Sequence, residues 1–494
     1  MAIVGAGPSG LVAAKHALEA GFDVSVFEAS DDLGGQWHTT AVHSGVWPGM
    51  RTNTSRAMTA FSDFAAPDDH PLHPTAEQIH AYLRAYAEHF GVVERVRLHA
   101  PVGSVTGARA VDGEPFDGVI VASGRFRKPR LPGGLDAFDG DVIHAFHYAG
   151  AEPYRGRRTL VYGNGISGLE IASDLAPVTG VVSAFRKPRY VIQKVVDGVS
   201  SDWQWYTAFG ALERRLLPRE ELSRKLRDRL LRVAGDPAAF GAPEPHGDPF
   251  IAGVSLCQDY LAQVADGSIV CRPAIAAVDG RTVRFTDGSD EIVDAIVCAT
   301  GYDVDVPYLH DDVWAVLGPD LALFQRTLHP DLPGFGVIGQ FLAQGPYFPL
   351  LELQARWIVA LWAGELAPPH EARMRGTIAA PRPPLDAHNA LATTLADELG
   401  VAPDLLARPQ LTEALLFGPL LPPRYRLDGP GASPDAAERF SAQLAASPRA
   451  PVEPADVEAL CDFGFAEAAD IVSARHSRSD HGRASPMSPL RGAS

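Results

Sequence analysis

Cysteine is scarce. The 494-residue chain has 4, Cys257, Cys271, Cys298 and Cys461, and no two of them form a C-x-x-C pair. That removes dithiol exchange and thiolate metal centres from the leading options and fits a reducing, cytoplasmic setting. Basic residues are outnumbered as well. Against 60 Asp and Glu stand 43 Lys and Arg, a formal net charge of −17, which argues against a nucleic-acid partner. No apolar run approaches ~18 residues, so no membrane-spanning helix is expected. The opening MAIVGAG enters a strand at once, and no signal peptide is expected. The remaining composition, 46% hydrophobic and 21% charged, is that of a globular chain able to bury large cores, and its length suits about two to four domains.

Two stretches repeat one pattern. Ala2–Val4 is a short apolar strand running into Gly5-Ala6-Gly7-Pro8-Ser9-Gly10 and a helix over Leu11–Ala20. Leu160–Tyr162 runs likewise into Gly163-Asn164-Gly165-Ile166-Ser167-Gly168 and a second helix. In such a strand–turn–helix the first glycine allows the tight turn. The second lets the backbone approach a pyrophosphate, and the third lets helix and strand pack closely. The phosphates then meet free N–H groups at the positive end of the helix. Two cradles imply two dinucleotides, hence an α/β chain of two Rossmann-like, doubly wound domains. Expected boundaries are 1–150, 151–298 with a helical and β-meander insert, 299–472 returning to the first domain with C-terminal helices, and a disordered tail over 473–494.

The strands that follow the cradles end differently. Asp23–Phe27 ends in Glu28, a carboxylate that accepts ribose hydroxyls and disfavours a 2′-phosphate, so this cradle suits FAD or NAD. Val181–Phe185 ends in Arg186-Lys187-Pro188-Arg189, cations that suit a 2′-phosphate, so the second prefers NADPH.

Elsewhere the signals are local. Thr75 with Gln78 is a capping box opening a helix to Phe90, with Ile79, Tyr82, Leu83, Tyr86 and Phe90 on its apolar face. The Pro-flanked basic run Arg125–Pro132 marks a crossover between domains. Pro218–Val233 is a charged amphipathic helix. Alternation over 269–293 with an Asp287-Gly288 turn predicts a β-meander. AIVCATGY (Ala295–Tyr302) echoes VIVASG (Val119–Gly124), and GFGVIGQ (Gly334–Gln340) is another strand of the same kind. The helix Leu351–Ala363 turns Trp357, Ile358 and Leu361 toward a core.

Taken in order, these motifs resemble the class B flavin-dependent monooxygenases, specifically the flavin-containing (dimethylaniline monooxygenase-like) group. GAGPSG is followed by LGGQW (Leu33–Trp37), TNTS (Thr52–Ser55) and FSDF (Phe61–Phe64). Phe138, Gly140, His144 and Tyr148 then match the fingerprint F-x-G-x-x-x-H-x-x-x-[FYW]. GNGISG, ATGY, ELQARW (Glu352–Trp357) and FGPLLPPRYRLDGPG (Phe417–Gly431) complete a likeness spanning roughly residues 1–430.

The resemblance implies FAD in the first domain and NADPH in a second domain inserted within it. It adds Gly35, Gln36, Trp37, Thr52, Thr300, Gly301 and Gln344 to the cofactor-binding residues. Asn53 matches the family's active-site Asn, a neutral group able to donate and accept near the flavin and the nicotinamide. The implied reaction runs through a C4a-(hydro)peroxyflavin sheltered by bound NADP+, with O2 and a small-molecule amine, thioether or ketone as partners. A homodimer is one assembly this reading allows. Tyr148, where Baeyer–Villiger members usually carry Trp, tilts the reading toward N- or S-oxygenation. His144 and Tyr148 are expected to couple NADPH binding to domain geometry. Trp203, Trp205, Phe341 and Tyr347 are candidates to line the substrate pocket. A flavoprotein reductase is the alternative enzyme, although its disulfide type needs the absent C-x-x-C, and a non-catalytic flavoprotein scaffold or redox sensor is the third reading.

Overall fold

Parallel strands require long crossovers, and each glycine turn opens one. In the computed structural model, which describes residues 1–483 apart from 43, 108, 384 and 447–451 and side chains as far as His476, they build two five-stranded sheets. The first runs Phe335–Val337, Val119–Val121, Ala2–Val4, Ser25–Phe27, Val96–Arg97, all parallel. The second runs Ile269–Arg272, Val181–Ala184, Thr159–Tyr162, Ala295–Cys298, Asp141–His144, also all parallel. In both, the strand that enters the glycine turn is central.

Every strand of the second sheet falls in sequence between Val119–Val121 and Phe335–Val337, which are neighbours in the first. One Rossmann-like unit is therefore inserted in the other. The two crossings meet as a short antiparallel ribbon, with Tyr302 opposite Pro129 and Asp303 opposite Lys128. The basic run at Arg125–Pro132 is thus the crossover its prolines predict.

Strands covered on both faces read as continuous apolar runs. Within Thr159–Tyr162, Val161 enters a core with Leu169, Ile171 and Tyr148, while Leu160 enters another with Val182, Phe285 and Ile296. The capping box opens helix Ala76–His89 as predicted: Thr75 Oγ1 accepts from the Gln78 N–H and Gln78 Oε1 from the Thr75 N–H. Helix Phe348–Trp362 is buried almost all round and packs on the first cradle helix, Pro8–Glu19.

The predicted meander is shorter than its alternation suggested. Ile275–Asp279, Thr282–Phe285 and Asp290–Ile292 form it, but Ile269–Arg272 pairs in parallel with Val181–Ala184 at the edge of the second sheet. The last helix spans Ala466–Arg483, running into the stretch expected to be disordered, and the rest of that stretch lies outside the described residues. Among the described residues no helix is long and apolar enough to cross a membrane.

Candidate active site

The first cradle is built by exclusion of side chains. Gly5 has φ +104°, and a Cβ there would stand 2.7 Å from the Ala122 carbonyl oxygen, while one on Gly10 would collide with the Gly5 oxygen. Helix and strand could not approach with any other residue at position 10. Pro8 and Ser9 form the first turn of a helix that no side chain caps, so its N-terminal end is left to a ligand. The LGGQW loop lies over this turn: the Gly34 N–H donates to the Ala6 oxygen at 2.9 Å, and Gly35 stands against Gly7. Trp37 is buried and Gln36 exposed. Glu28 sits at the lip, buried, accepting from the Ala6 N–H at 2.7 Å and the Ser30 N–H at 2.8 Å.

The second cradle has the same clamp and an open mouth. A Cβ on Gly168 would collide with the Gly163 oxygen, whereas one on Gly165 would meet nothing within 4 Å. No side chain caps the helix Ile166–Leu175 that carries Ser167. Asn164 Nδ2 donates to the Lys187 carbonyl at 2.7 Å and ties the turn to the end of Val181–Ala184. Arg186 and Lys187 are exposed there, and neither forms an ion pair among the described residues.

The fingerprint joins the sheets. Gly140 has no room for a side chain between Phe138 and the Asp294 carbonyl, which sets the edge strand Asp141–His144 in place. His144 Nδ1 accepts from the Phe146 N–H at 3.1 Å, which fixes the tautomer. Nε2–H therefore donates to the carbonyl of Gly301 at 3.0 Å. Burial lowers its pKa, so the ring is held neutral. Thr300 faces the other crossing, its carbonyl accepting from Arg130 at 3.0 Å. The Tyr148 hydroxyl donates to Asp174 on the second cradle helix at 2.6 Å, and its ring meets Trp47 edge-on at 5.6 Å.

Asn53 lies on a loop fixed from both sides. Thr52 takes the Pro74 carbonyl through its N–H at 2.9 Å, and its hydroxyl donates to the Thr54 oxygen at 2.7 Å. Asp202, on the short helix Ser201–Trp205, accepts from the Ser55 N–H at 2.7 Å and hydroxyl at 2.8 Å, and the Trp203 indole N–H donates to Ser55 Oγ at 3.1 Å. Burial raises the Asp202 pKa against the Ser200 and Ser55 hydrogen bonds that favour its charge. Asn53 Oδ1 is buried without a partner. A buried amide oxygen left unpaired is a mark of a group that belongs beside it.

Sequence residues 1–450 match the flavin-binding monooxygenase-like family. The chain belongs to that family. It is 29% identical over 481 residues to the N-oxide-forming dimethylaniline monooxygenase 2 of Rattus norvegicus, covering 87% of this chain and 89% of that one. Flavin-containing monooxygenase 1 of Homo sapiens is 30% identical over 477 residues, with the same coverage. Among solved structures, S-allyl-L-cysteine S-oxygenase from Allium sativum has the same fold at 21% identity and TM-score 0.59, covering 89% of this chain and 98% of that one. Cyclohexanone monooxygenase in its open form does so at 18% identity and TM-score 0.60, covering 81% and 97%. The protein is thus an FAD-dependent NADPH monooxygenase that uses O2. The two uncapped helix ends, Glu28 at the first and the two free cations at the second fit those nucleotides.

Three features of this monooxygenase escaped the sequence. First, FSDF, ELQARW and RYRLDG were recognisable motifs without a stated task. They meet in one buried cluster beneath the first cradle. Glu352 accepts from the Ser62 N–H at 2.7 Å, Arg426 reaches Glu352 at 2.9 Å and Asp63 at 2.8 Å, and Lys15 of the cradle helix also pairs with Asp63. Against burial, His16 at 3.8 Å and the Arg426 and Arg356 guanidiniums hold Glu352 well below the usual carboxylate range. Second, Asp202 gives no local signal because its partner Ser55 is 147 residues away. Third, of the four aromatics expected in a pocket, Trp203 and Trp205 line a cavity of about 1000 Å³ together with Gln344. Phe341 and Tyr347 instead stack on each other at 5.7 Å.

Two buried histidines set a pH dependence. Burial and the Lys194 charge push His73 down to about 4; burial pushes His388 to about 4. Both are neutral when folded, while the unfolded chain takes up protons below about pH 6.5. Stability is therefore lost as pH falls from about 6.5 and the loss levels off near 4, at most about 3 kcal/mol per group. Thermal midpoints measured from pH 7 to 4.5 are expected to fall, and His388→Asn to flatten that slope. An unchanged slope in the variant removes His388 from the account.

Proposed function

We propose that the enzyme oxygenates nitrogen or sulfur in a small nucleophile. The observation that carries this is Tyr148 at the last fingerprint position, whose phenol bonds Asp174 at 2.6 Å, a contact made by the hydroxyl that indole lacks. The N-oxide-forming relative and the S-oxygenase share of the fold point the same way.

Bound FAD, reduced by NADPH, supplies the activation of O2, so no protein nucleophile is needed. Gly5, Gly7, Pro8, Ser9 and Gly10 with Gly35, Gln36, Trp37 and Thr52 would hold the flavin nucleotide, and Glu28 would supply the carboxylate for its ribose hydroxyls. Gly163, Gly165, Ser167 and Gly168 would hold NADPH, and Arg186 and Lys187 would receive its 2′-phosphate. Thr300 and Gly301, on the crossing between the sheets, would complete the cofactor-binding residues. The Asn53 amide, free at Oδ1, orients the reacting groups, and Asp202 keeps its loop in place. His144, with both ring nitrogens engaged, ties the edge of the second sheet to the crossing at Gly301, a positioning role and not proton transfer.

NADPH consumption with product masses over a panel of amines, sulfides and ketones tests the reading. Oxygenated amine or sulfide is expected, and esters formed from ketones as the sole products would sink it. Arg186→Ala is expected to raise the KM for NADPH ~10-fold or more and leave NADH unchanged. Equal effects on the two would remove the 2′-phosphate role.

A further inference from the structure

The cavity of about 1000 Å³ lies among the helices Ser201–Trp205, Ala208–Leu216 and Arg219–Ala234. It touches the candidate site twice. Gln344 is part of its wall, and so is Trp203, which bonds Ser55 two residues from Asn53.

Another part of the wall holds two arginines without an ion pair among the described residues, and an unpartnered indole N–H. The Arg214 side chain makes no hydrogen bond or ion pair among the described residues and lies over the Phe250 ring at 5.5 Å. Arg229 lies over the Trp205 ring at 4.5 Å and donates to the Gln204 carbonyl, with no carboxylate partner among the described residues. Trp205 Nε1 is buried and unpartnered. Four carboxylates line this space; Glu453 makes no ion pair among the described residues, and the other three have cations of their own. Glu213 pairs with Lys225 at 2.6 Å, which also stands 3.9 Å from Asp456, and Asp386 pairs with Arg326 at 3.0 Å. Burial lowers the pKa of both guanidiniums and outweighs the opposing charges of Glu213 on both and of Asp456 on Arg229. All three groups are donors, and two of them are cationic. What they lack is an anionic acceptor.

We propose that the cavity takes an organic acid whose carboxylate binds Arg214 and Arg229 and whose apolar body lies against Val199, Leu230 and Leu391. Its oxidisable sulfur or nitrogen then reaches the wall formed by Trp203 and Gln344. The position of that atom rests on the heteroatom oxygenation proposed above; the anion site does not.

The test uses the full-length, FAD-loaded enzyme with 3-(phenylthio)propanoic acid and its primary amide, which share one thioether and differ in charge. Isothermal titration without NADPH reads binding, and NADPH consumption with product mass reads turnover. The acid is expected to bind ~10- to 100-fold tighter than the amide, as one charge-assisted pair allows. Arg214→Gln is expected to erase that ratio and Arg214→Lys to keep part of it, with amide binding and the KM for NADPH unchanged. Equal affinity for acid and amide in the native enzyme, or equal loss of both in Arg214→Gln, overturns the proposal. Selective binding of the acid with no sulfoxide formed upholds the anion site and overturns the heteroatom reading instead.

Discussion

Asn53→Ala is expected to retain both cofactors and to lower product formed per NADPH consumed by ~10²- to 10³-fold, the loss seen when one preorganised polar contact is deleted from an active site. The structure isolates the side chain well for such a test. Its loop is fixed through the backbone of Thr52 and through Ser55, which Asp202 and Trp203 grip, so removing the Asn53 amide leaves those contacts in place. Its Oδ1 has no protein partner to lose. Asn53→Asp keeps the shape and adds charge, and its failure to restore coupling would show that neutrality is the requirement. NADPH oxidation with hydrogen peroxide in place of product is the expected signature. Unchanged coupling in Asn53→Ala removes the residue from the reaction.

Arg426→Met is expected to destabilise the folded enzyme by about 3–5 kcal/mol, the effect of stripping one partner from a buried ion network. Burial works to lower the Arg426 pKa, and the charges of Glu352 and Asp63 outweigh it. Without it, buried Glu352 and half-buried Asp63 are left with too little positive charge. Arg356 already adds its charge to Glu352 but is held by the Tyr425 and Pro430 carbonyls at 3.0 and 2.8 Å, so the direct contacts of Arg426 go unreplaced. Glu352→Gln combined with Arg426→Met is expected to lose less than the two single changes summed, since each removes the other's stranded charge. Denaturant unfolding of the FAD-loaded protein measures both, and a single-variant loss below about 1 kcal/mol would contradict the network's role.

What could be read from the sequence was what is local. Each glycine turn, its helix and the residue ending the next strand lie within about thirty positions, and their chemistry follows from spacing. Thr75 and Gln78 are three residues apart, and the capping box formed as predicted. Non-local partners were invisible: His144 meets Gly301 157 residues on, Ser62 meets Glu352 290 on, and Arg426 meets Ser62 across 364. Fingerprint positions could be recognised without revealing what they touch. Alternation also cannot separate an antiparallel meander from the edge of a parallel sheet, which is why Ile269–Arg272 was misassigned. The stacking of Phe341 on Tyr347 at 5.7 Å was equally invisible, because composition reports ring type and not ring partner.

The insertion of one sheet within the other also orders events on the ribosome. Strands 141–298 are contiguous, and once they emerge the second sheet can close by itself. The first sheet, although it begins at Ala2, still lacks its edge strand Phe335–Val337 and the helix Phe348–Trp362 that covers the first cradle. The nascent chain therefore completes its later-encoded nucleotide module first. The earlier one waits, with Val119–Val121 as an unpaired edge, through about two hundred further residues of synthesis, the interval in which a chaperone has most to protect.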